Sequence, residues 1–346
     1  KVVNNNRSNK IRKVALITGS SGFIGFHLAK ILLSCNWKII GLDGMTDYYD
    51  INLKMARQKL LCENANFYNH EGLIQDSKLL NEIYSNYKPN VIIHLAAQAG
   101  VRYSIENPIS YVESNLIGTF HILEIARRHK PDHILMASTS SIYGSNKNMP
   151  LNENQKCDMP MSFYAATKKS NEVMAHSYSH LYNLPITVFR FFTVYGPWGR
   201  PDMALFKFTK NILSDKPIDV YNRGNMVRDF TYVDDLVKAI TLLVPKTPHK
   251  FNKKKSIIEN DSISDVAPYR IVNIGNSYPV KLFDFIEELE RVLGKEAKKN
   301  FLGMQDGDVP ITHSNIDLLK ALTGFSPKTT LREGISEFVK WYKSYY

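Results

Sequence analysis

The sequence predicts an α/β fold, a doubly wound parallel sheet with a smaller C-terminal α/β region, on three observations. Short apolar runs recur between helical patterns, the first of them feeds a glycine turn that opens an amphipathic helix, and the second ends on an aspartate. Apolar strands alternating with helices build βαβ units, and a strand, glycine turn and helix in that order begin a Rossmann-type arrangement. With 346 residues, 44% of them hydrophobic, the chain is long enough to bury one large core or a large and a small one.

Taken in order, Lys13 to Thr18 (KVALIT) reads as a buried strand, followed by Gly19-Ser20-Ser21-Gly22-Phe23-Ile24-Gly25 and an amphipathic run through Leu33. Gly19 permits the tight turn, Gly22 lets backbone approach a pyrophosphate, and Gly25 allows close helix packing. The helix N-terminus adds free N–H groups and partial positive charge. A second strand, Lys38 to Leu42, ends at Asp43, eighteen residues after Gly25. A carboxylate there accepts hydrogen bonds from the adenosine ribose and repels a 2′-phosphate, which favours NAD over NADP.

Further strands are expected at Phe67 to His70, Val91 to Leu95, His133 to Ala137, Ile186 to Arg190 and Arg270 to Ile274, with a helix at Asp234 to Leu243. The pattern divides the chain into a dinucleotide-binding domain, 13–190, and a mainly sugar-nucleotide-binding domain, 191–343, with strand exchange between the two. Residues 1–12 read as a flexible tail. The polar stretch 245–268 is longer than an ordinary connection and is expected to be a disordered loop.

The formal charge of +11 lies partly in the tail and in Lys246 to Lys255 (KTPHKFNKKK), and no aromatic-basic RNA motif accompanies it, so nucleic acid is not an expected partner. Ten scattered histidines and three cysteines, Cys35, Cys62 and Cys157, offer no ligand spacing, and no metal site is expected. Neither a signal peptide nor an apolar run of about eighteen residues appears. The expectation is a cytoplasmic protein with no integral membrane segment.

Two segments carry chemistry. Ile134 to Ala137 runs into Ser138-Thr139-Ser140-Ser141-Ile142-Tyr143-Gly144, a hydroxyl cluster at the carboxyl end of a sheet strand, where open α/β folds bind ligands. Tyr164-Ala165-Ala166-Thr167-Lys168 places a phenol and an ammonium on one helix face. An ammonium one turn away, with a positively charged nicotinamide nearby, favours the phenolate, so Tyr164 could move a hydroxyl proton near neutral pH.

The glycine turn GxxGxxG, the hydroxyl cluster, and YxxxK twenty-five residues after Thr139 resemble the extended short-chain dehydrogenase/reductase family over about residues 13 to 343. Three further segments, His94 to Arg102 (HLAAQAGVR), Arg190 to Met203 (RFFTVYGPWGRPDM) and Arg228 to Asp235 (RDFTYVDD), look like those of the UDP-glucuronate 4-epimerases, within the NAD-dependent epimerase/dehydratase group. This resemblance implies NAD as cofactor, held by Gly19, Gly22, Phe23, Ile24, Gly25, Asp43, Ile74, Leu95, Ala96, Ala97, Asn115, Tyr164 and Lys168. It implies catalysis by Thr139, Tyr164 and Lys168, and a UDP-sugar bound by Arg102, Ser140, Ser141, Thr193, Arg200, Arg228 and Asp308. A homodimer joined through two helices per subunit is implied as well.

By the same resemblance, Tyr164 removes the proton of the sugar O4, NAD takes the hydride from C4, and the 4-keto sugar turns and recovers it on the other face. Related 4,6-dehydratases carry Asp-Glu where Ser140 and Ser141 stand, and a decarboxylating relative carries Glu at Ser141; elimination therefore lacks its proton carriers here. A UDP-hexose 4-epimerase and a UDP-glucuronate-oxidising decarboxylase remain the alternatives. Departures from the family pattern are Gly72-Leu73-Ile74, where an Asp usually follows the glycine, Asp306 in place of a proline, and Ser314-Asn315 in place of Ala-Asp. The last three are expected to concern the nucleotide end.

Overall fold

The computed structural model describes residues 13–249 and 258–346. Its first half contributes strands β1 (Val14–Thr18), β2 (Lys38–Asp43), β3 (Phe67–Glu71), β4 (Val91–His94), β5 (His133–Thr139) and β6 (Ile186–Phe191). The second half adds β7 (Thr193–Tyr195), β8 (Ile218–Val220), β9 (Val227–Tyr232), β10 (Tyr269–Ile274), β11 (Pro279–Lys281) and β12 (Lys299–Phe301). Seven strands form one sheet in the order β10-β6-β5-β4-β1-β2-β3, and every pairing in it is parallel. The chain begins in the middle, builds outward through β2 and β3, then returns to add β4 on the other side. That reversal opens a crevice at the carboxyl ends of β1 and β4, the place where such sheets bind ligands.

Strands covered on both faces read as unbroken apolar runs, and β1 (VALIT) is buried throughout. Helices Phe23–Ser34 and Val233–Leu243 cover one face through Phe26, Leu32, Leu236 and Ile240. Helices Ser77–Tyr87, Gly118–His129 and Phe163–Tyr182 cover the other through Leu80, Ile83, Ile122, Ala126 and Ala175. A smaller sheet, β11-β9-β7, and the pair β12-β8 surround a separate aromatic core of Phe206, Phe230, Phe285, Phe338 and Trp341. Strand β10 falls between β9 and β11 of that small sheet in sequence, yet pairs along the whole of β6 in the large one.

One expectation needs correction. Disorder over 245–268 does not extend to residues 258–268: Arg270 forks onto Asp261 with two bonds of 2.9 Å, Ser264 Oγ lies 2.8 Å from His176 Nε2, and Ala267 is fully buried. Polar composition suggested a solvated loop, but these polar groups have partners on β10 and on the Phe163–Tyr182 helix. Residues 250–257 and the tail 1–12 lie outside the described residues. Ser314 and Asn315, expected to concern the nucleotide end, have hydrogen-bond partners within the fold. Ser314 is buried, and its N–H and hydroxyl both donate to Asp229 Oδ2, at 2.9 and 2.5 Å, while Asn315 N donates to Leu151 O. Ser314 ties the chain after β12 to β9, and Asn315 ties it to Leu151.

The fold also buries two neutral imidazoles. His133, at the start of β5, bridges Val244 O (2.7 Å) and Thr187 Oγ1 (2.8 Å), and burial pushes it down to about 4; burial pushes His94 down to about 3. The unfolded chain takes these protons near pH 6.5, so the stability they confer is present above that pH and is lost as pH falls toward about 4. The melting temperature should decline across this window, and His133→Gln should flatten part of the decline. Equal slopes in the two proteins would remove His133 from the account.

Candidate active site

At the crevice the backbone comes first. Gly19, with φ of +76°, turns the chain out of β1, and a Cβ there would sit 2.9 Å from Ala96 N; a Cβ at Gly25 would meet Gly19 O at 2.0 Å. Both positions exclude side chains. Thr18 Oγ1 accepts the N–H groups of Leu95 and Ala96 at 3.1 Å, which joins the ends of β1 and β4. Phe23 and Ile24 open the Phe23–Ser34 helix behind Gly22. Asp43 closes β2 and stands where the sequence puts it: Oδ2 accepts from Ser21 N and Oδ1 from Met45 N, each at 2.9 Å. Its remaining lone pairs are free to meet ribose hydroxyls. The hydroxyls of Ser20 and Ser21 are buried with no partner among the described residues, so this cradle fits a dinucleotide better than it fits an empty core.

Ile74 is buried against Gly118, where a Cβ would meet its Cδ1 at 2.4 Å, while Leu73 is half exposed. Asn115 sits fully buried in a π-helical turn, Val112–Ile117. Such turns widen a helix locally and often mark working sites. Its Oδ1 accepts from Gln98 N at 2.8 Å, and its Nδ2 donates to Gln98 O and Thr167 Oγ1, each at 3.0 Å. The amide thus fastens the turn after Ala97 to the helix of Tyr164.

Thr139 ends β5, and its Oγ1 accepts from Ser141 N at 3.2 Å, capping the turn that carries Ser140 and Ser141. The helix Phe163–Tyr182 begins at Ser162, whose hydroxyl accepts from Ala165 N at 3.1 Å. Tyr164 lies in its first turn, in hydrogen-bonding reach of the Thr139 hydroxyl and edge-on to the Tyr111 ring. Lys168 follows one turn on and is buried. Burial pulls its ammonium down to about 8, against the pull of Glu172.

Here the sequence expectation is revised. Burial raises the Tyr164 phenol above its ordinary value, and the charge that opposes this is Arg200, assisted by the Thr139 hydrogen bond. Lys168 instead bears on His94, which stays uncharged between Thr18 Oγ1 (2.7 Å) and Thr119 Oγ1 (3.0 Å). Spacing along the helix suggested Lys168; the charge that opposes the rise of the phenol belongs to a loop distant in sequence.

Arg200 occupies that loop with its Nε and Nη2 on Asp202, and Tyr48 donates to the same carboxylate at 3.3 Å. Ser140 and Ser141, after β5, and Thr193, at the start of β7, keep partial exposure. At the far end, Arg228 Nη2 pairs with Asp308 Oδ1 at 2.7 Å. The Arg102 side chain is two-thirds exposed and pairs with Glu106 on the same short helix.

One essential pair escaped the sequence reading. Glu172 lies two turns beyond Tyr164 on the same helix face, and Arg190 of β6 forks onto it, Nε to Oε1 at 3.0 Å and Nη2 to Oε2 at 2.9 Å, both side chains being buried. Ser138 donates to the same carboxylate at 2.7 Å. The spacing Tyr164, Lys168, Glu172 was the available signal.

Comparison with known proteins follows this geometry. A family model described as GDP-mannose 4,6 dehydratase matches residues 16–338. The "Probable UDP-glucuronate 4-epimerase" of Rhizobium meliloti is 51% identical over 331 residues, covering 96% of this chain and 97% of the relative. UDP-glucuronate 4-epimerase 1 of Arabidopsis thaliana is 46% identical over 336 residues, covering 96% of this chain and 77% of the relative. Among solved structures, that of UDP-glucuronic acid 4-epimerase from Bacillus cereus in complex with UDP-glucuronic acid and NAD is similar at TM-score 0.84 and 32% identity, over 96% of this chain and 100% of that one.

The buried pair makes a quantitative statement. Glu172→Gln leaves the Arg190 charge enclosed without a counter-ion, and breaking one side of such a pair costs about 3 to 5 kcal/mol. Urea unfolding should show that loss. A change below about 1 kcal/mol would mean that water already reaches the pair.

Proposed function

This chain belongs to the extended short-chain dehydrogenase/reductase family described by the GDP-mannose 4,6 dehydratase model, and on that premise we propose that it interconverts UDP-glucuronate and UDP-galacturonate with bound NAD. One observation carries the choice of substrate. Arg200 and the Thr139 hydroxyl bear on Tyr164, Ser141 is hydrogen-bonded to Thr139, and serines, not carboxylates, occupy positions 140 and 141, the two places that elimination would use.

In this reading Thr139 and Tyr164 hydrogen-bond the sugar O4, and the phenol takes its proton. Bound NAD supplies the acceptor and later the donor for the hydrogen at C4, and the protein supplies orientation and electrostatics. Asp43, Ser21 and the glycine turn hold the adenosine and diphosphate end, and Lys168 reaches the nicotinamide ribose. Arg228 and Asp308 take the UDP end. Oxidation at C4 makes the glucuronate a β-keto acid, which loses carbon dioxide once its carboxylate aligns with the new carbonyl. Ser141, Thr193 and Arg200 prevent that alignment by holding the carboxylate with charge-assisted bonds.

Two coarser readings accompany this one. Phe163, Val173 and Leu181 on one helix and Ile117 and Phe120 on its neighbour are exposed apolar side chains, and they support a homodimer, which light scattering in solution would detect. Three free cysteines fit a reducing compartment, and we place the reaction in the cytoplasm. No helix of the described residues is long and apolar enough to cross a membrane.

The deciding experiment incubates the purified protein with UDP-glucuronate and resolves products by NMR. UDP-galacturonate without added redox partner is the expected result; a UDP-4-keto-pentose would make it a decarboxylase, and equal efficiency on UDP-glucose a hexose epimerase. Tyr164→Phe should slow turnover by about 10² to 10⁴ while leaving NAD content unchanged, and turnover within twofold of wild type would dismiss it as the base. Arg200→Gln or Thr193→Ala should lose roughly ten- to a hundredfold in rate and release keto-pentose as NADH accumulates.

A further inference from the structure

Arg57 has the most fully buried large side chain of the described residues, and its guanidinium meets no carboxylate there. Nη1 donates to Ser21 O at 2.9 Å and to Tyr49 Oη at 2.7 Å, Nη2 donates to Trp198 O at 2.6 Å, and Nε has no partner. A buried cation satisfied only by neutral oxygens is costly. What it obtains is reach: one planar fork joins the dinucleotide turn, through Ser21, to the loop that carries Arg200, through Trp198. Lysine, a point charge on a flexible stem, does not span two carbonyls in that way.

The receiving loop is held in a conformation that it would not adopt unaided. Trp198 has φ of +63°, a left-handed backbone that is uncommon for a bulky residue. Its ring is wedged between Phe26, at 5.5 Å, and Trp341, at 5.2 Å. His27, on the helix that opens from the glycine turn, donates from Nε2 to Pro197 O at 2.8 Å. Consecutive carbonyls of this loop, Pro197 and Trp198, are therefore held by two side chains from the dinucleotide-binding side. Two residues later comes Arg200, the cation that bears on Tyr164.

We propose that Arg57 is a positioning residue, which sets Arg200 for the substrate carboxylate by fixing the Trp198 carbonyl against the dinucleotide turn. This inference rests on the glucuronate reading of the site. It assigns Arg57 to discrimination between sugars and leaves the UDP end, around Arg228 and Asp308, untouched.

The test is Arg57→Met, which keeps volume and removes the fork. Replacing a buried charge by an apolar isostere is often neutral for stability, so cooperative unfolding should be retained. Measured as the ratio of kcat/KM for UDP-glucuronate to kcat/KM for UDP-glucose, selectivity should fall at least tenfold. The Kd for UDP, by calorimetry, should stay within twofold of wild type, and Arg57→Lys should recover only part of the selectivity. If both sugars lose efficiency equally, or UDP binding weakens in step, Arg57 is a structural residue and the inference is overturned. A wild type with no preference for UDP-glucuronate would remove the reading of the site and the inference with it, whereas a preference retained in Arg57→Met removes the inference alone. Should Arg57→Met fail to fold, Arg57→Lys decides, with a threefold loss of selectivity expected and wild-type selectivity refuting.

Discussion

The ion pair between Glu172 and Arg190 fixes the helix that carries Tyr164 and Lys168 against the large sheet. A helix lying on a sheet can rotate about its axis or slide along it at small cost when only apolar side chains meet, because such contacts are non-directional. A bidentate carboxylate–guanidinium contact has direction as well as energy. With Glu172 forked onto β6 and also accepting from Ser138 of β5, the helix Phe163–Tyr182 has one permitted rotation. Tyr164 and Lys168 share its face by spacing, so both are aimed by a contact neither of them makes.

Charges around that face are arranged in layers. Lys168 is buried, and Glu172 supports its proton. His94, which also feels Lys168, is kept neutral by burial and by its two threonine partners, so no second cation accumulates beneath the crevice. On the open side, Arg200 acts on Tyr164 but is itself shared with Asp202. Burial alone would hold the Tyr164 phenol protonated, and the Arg200 charge works against it.

Much of this was legible in the sequence, for identifiable reasons. Strands β1 to β6, the glycine turn and Asp43 follow from local pattern: buried parallel strands need unbroken apolar runs, a turn under a pyrophosphate needs glycine, and a strand end needs a short acceptor. Tyr164 and Lys168 were readable as a helical pair. Contacts between segments far apart in the chain were not. The cation acting on Tyr164 comes from the loop after β7, the support for Ser314 comes from Asp229, and Arg270 organises residues that composition alone marked as loose. Asn115 was readable as a residue near the cofactor, but the partners of its amide, Gln98 and Thr167, were not. In each case the residue type was visible and the partner was not.

Strand β10 has a consequence for the birth of the protein on the ribosome. Its six residues pair with β6 from Ile186 through Phe191, and β6 is buried along its whole length. Until the nascent chain has emerged past Ile274, β6 presents an unpaired apolar edge, the kind that recruits other chains. The large sheet is thus finished only after β7, β8 and β9 of the smaller region have been synthesised. Chaperone attention during that interval, rather than any property of the finished enzyme, is where this topology makes its demand.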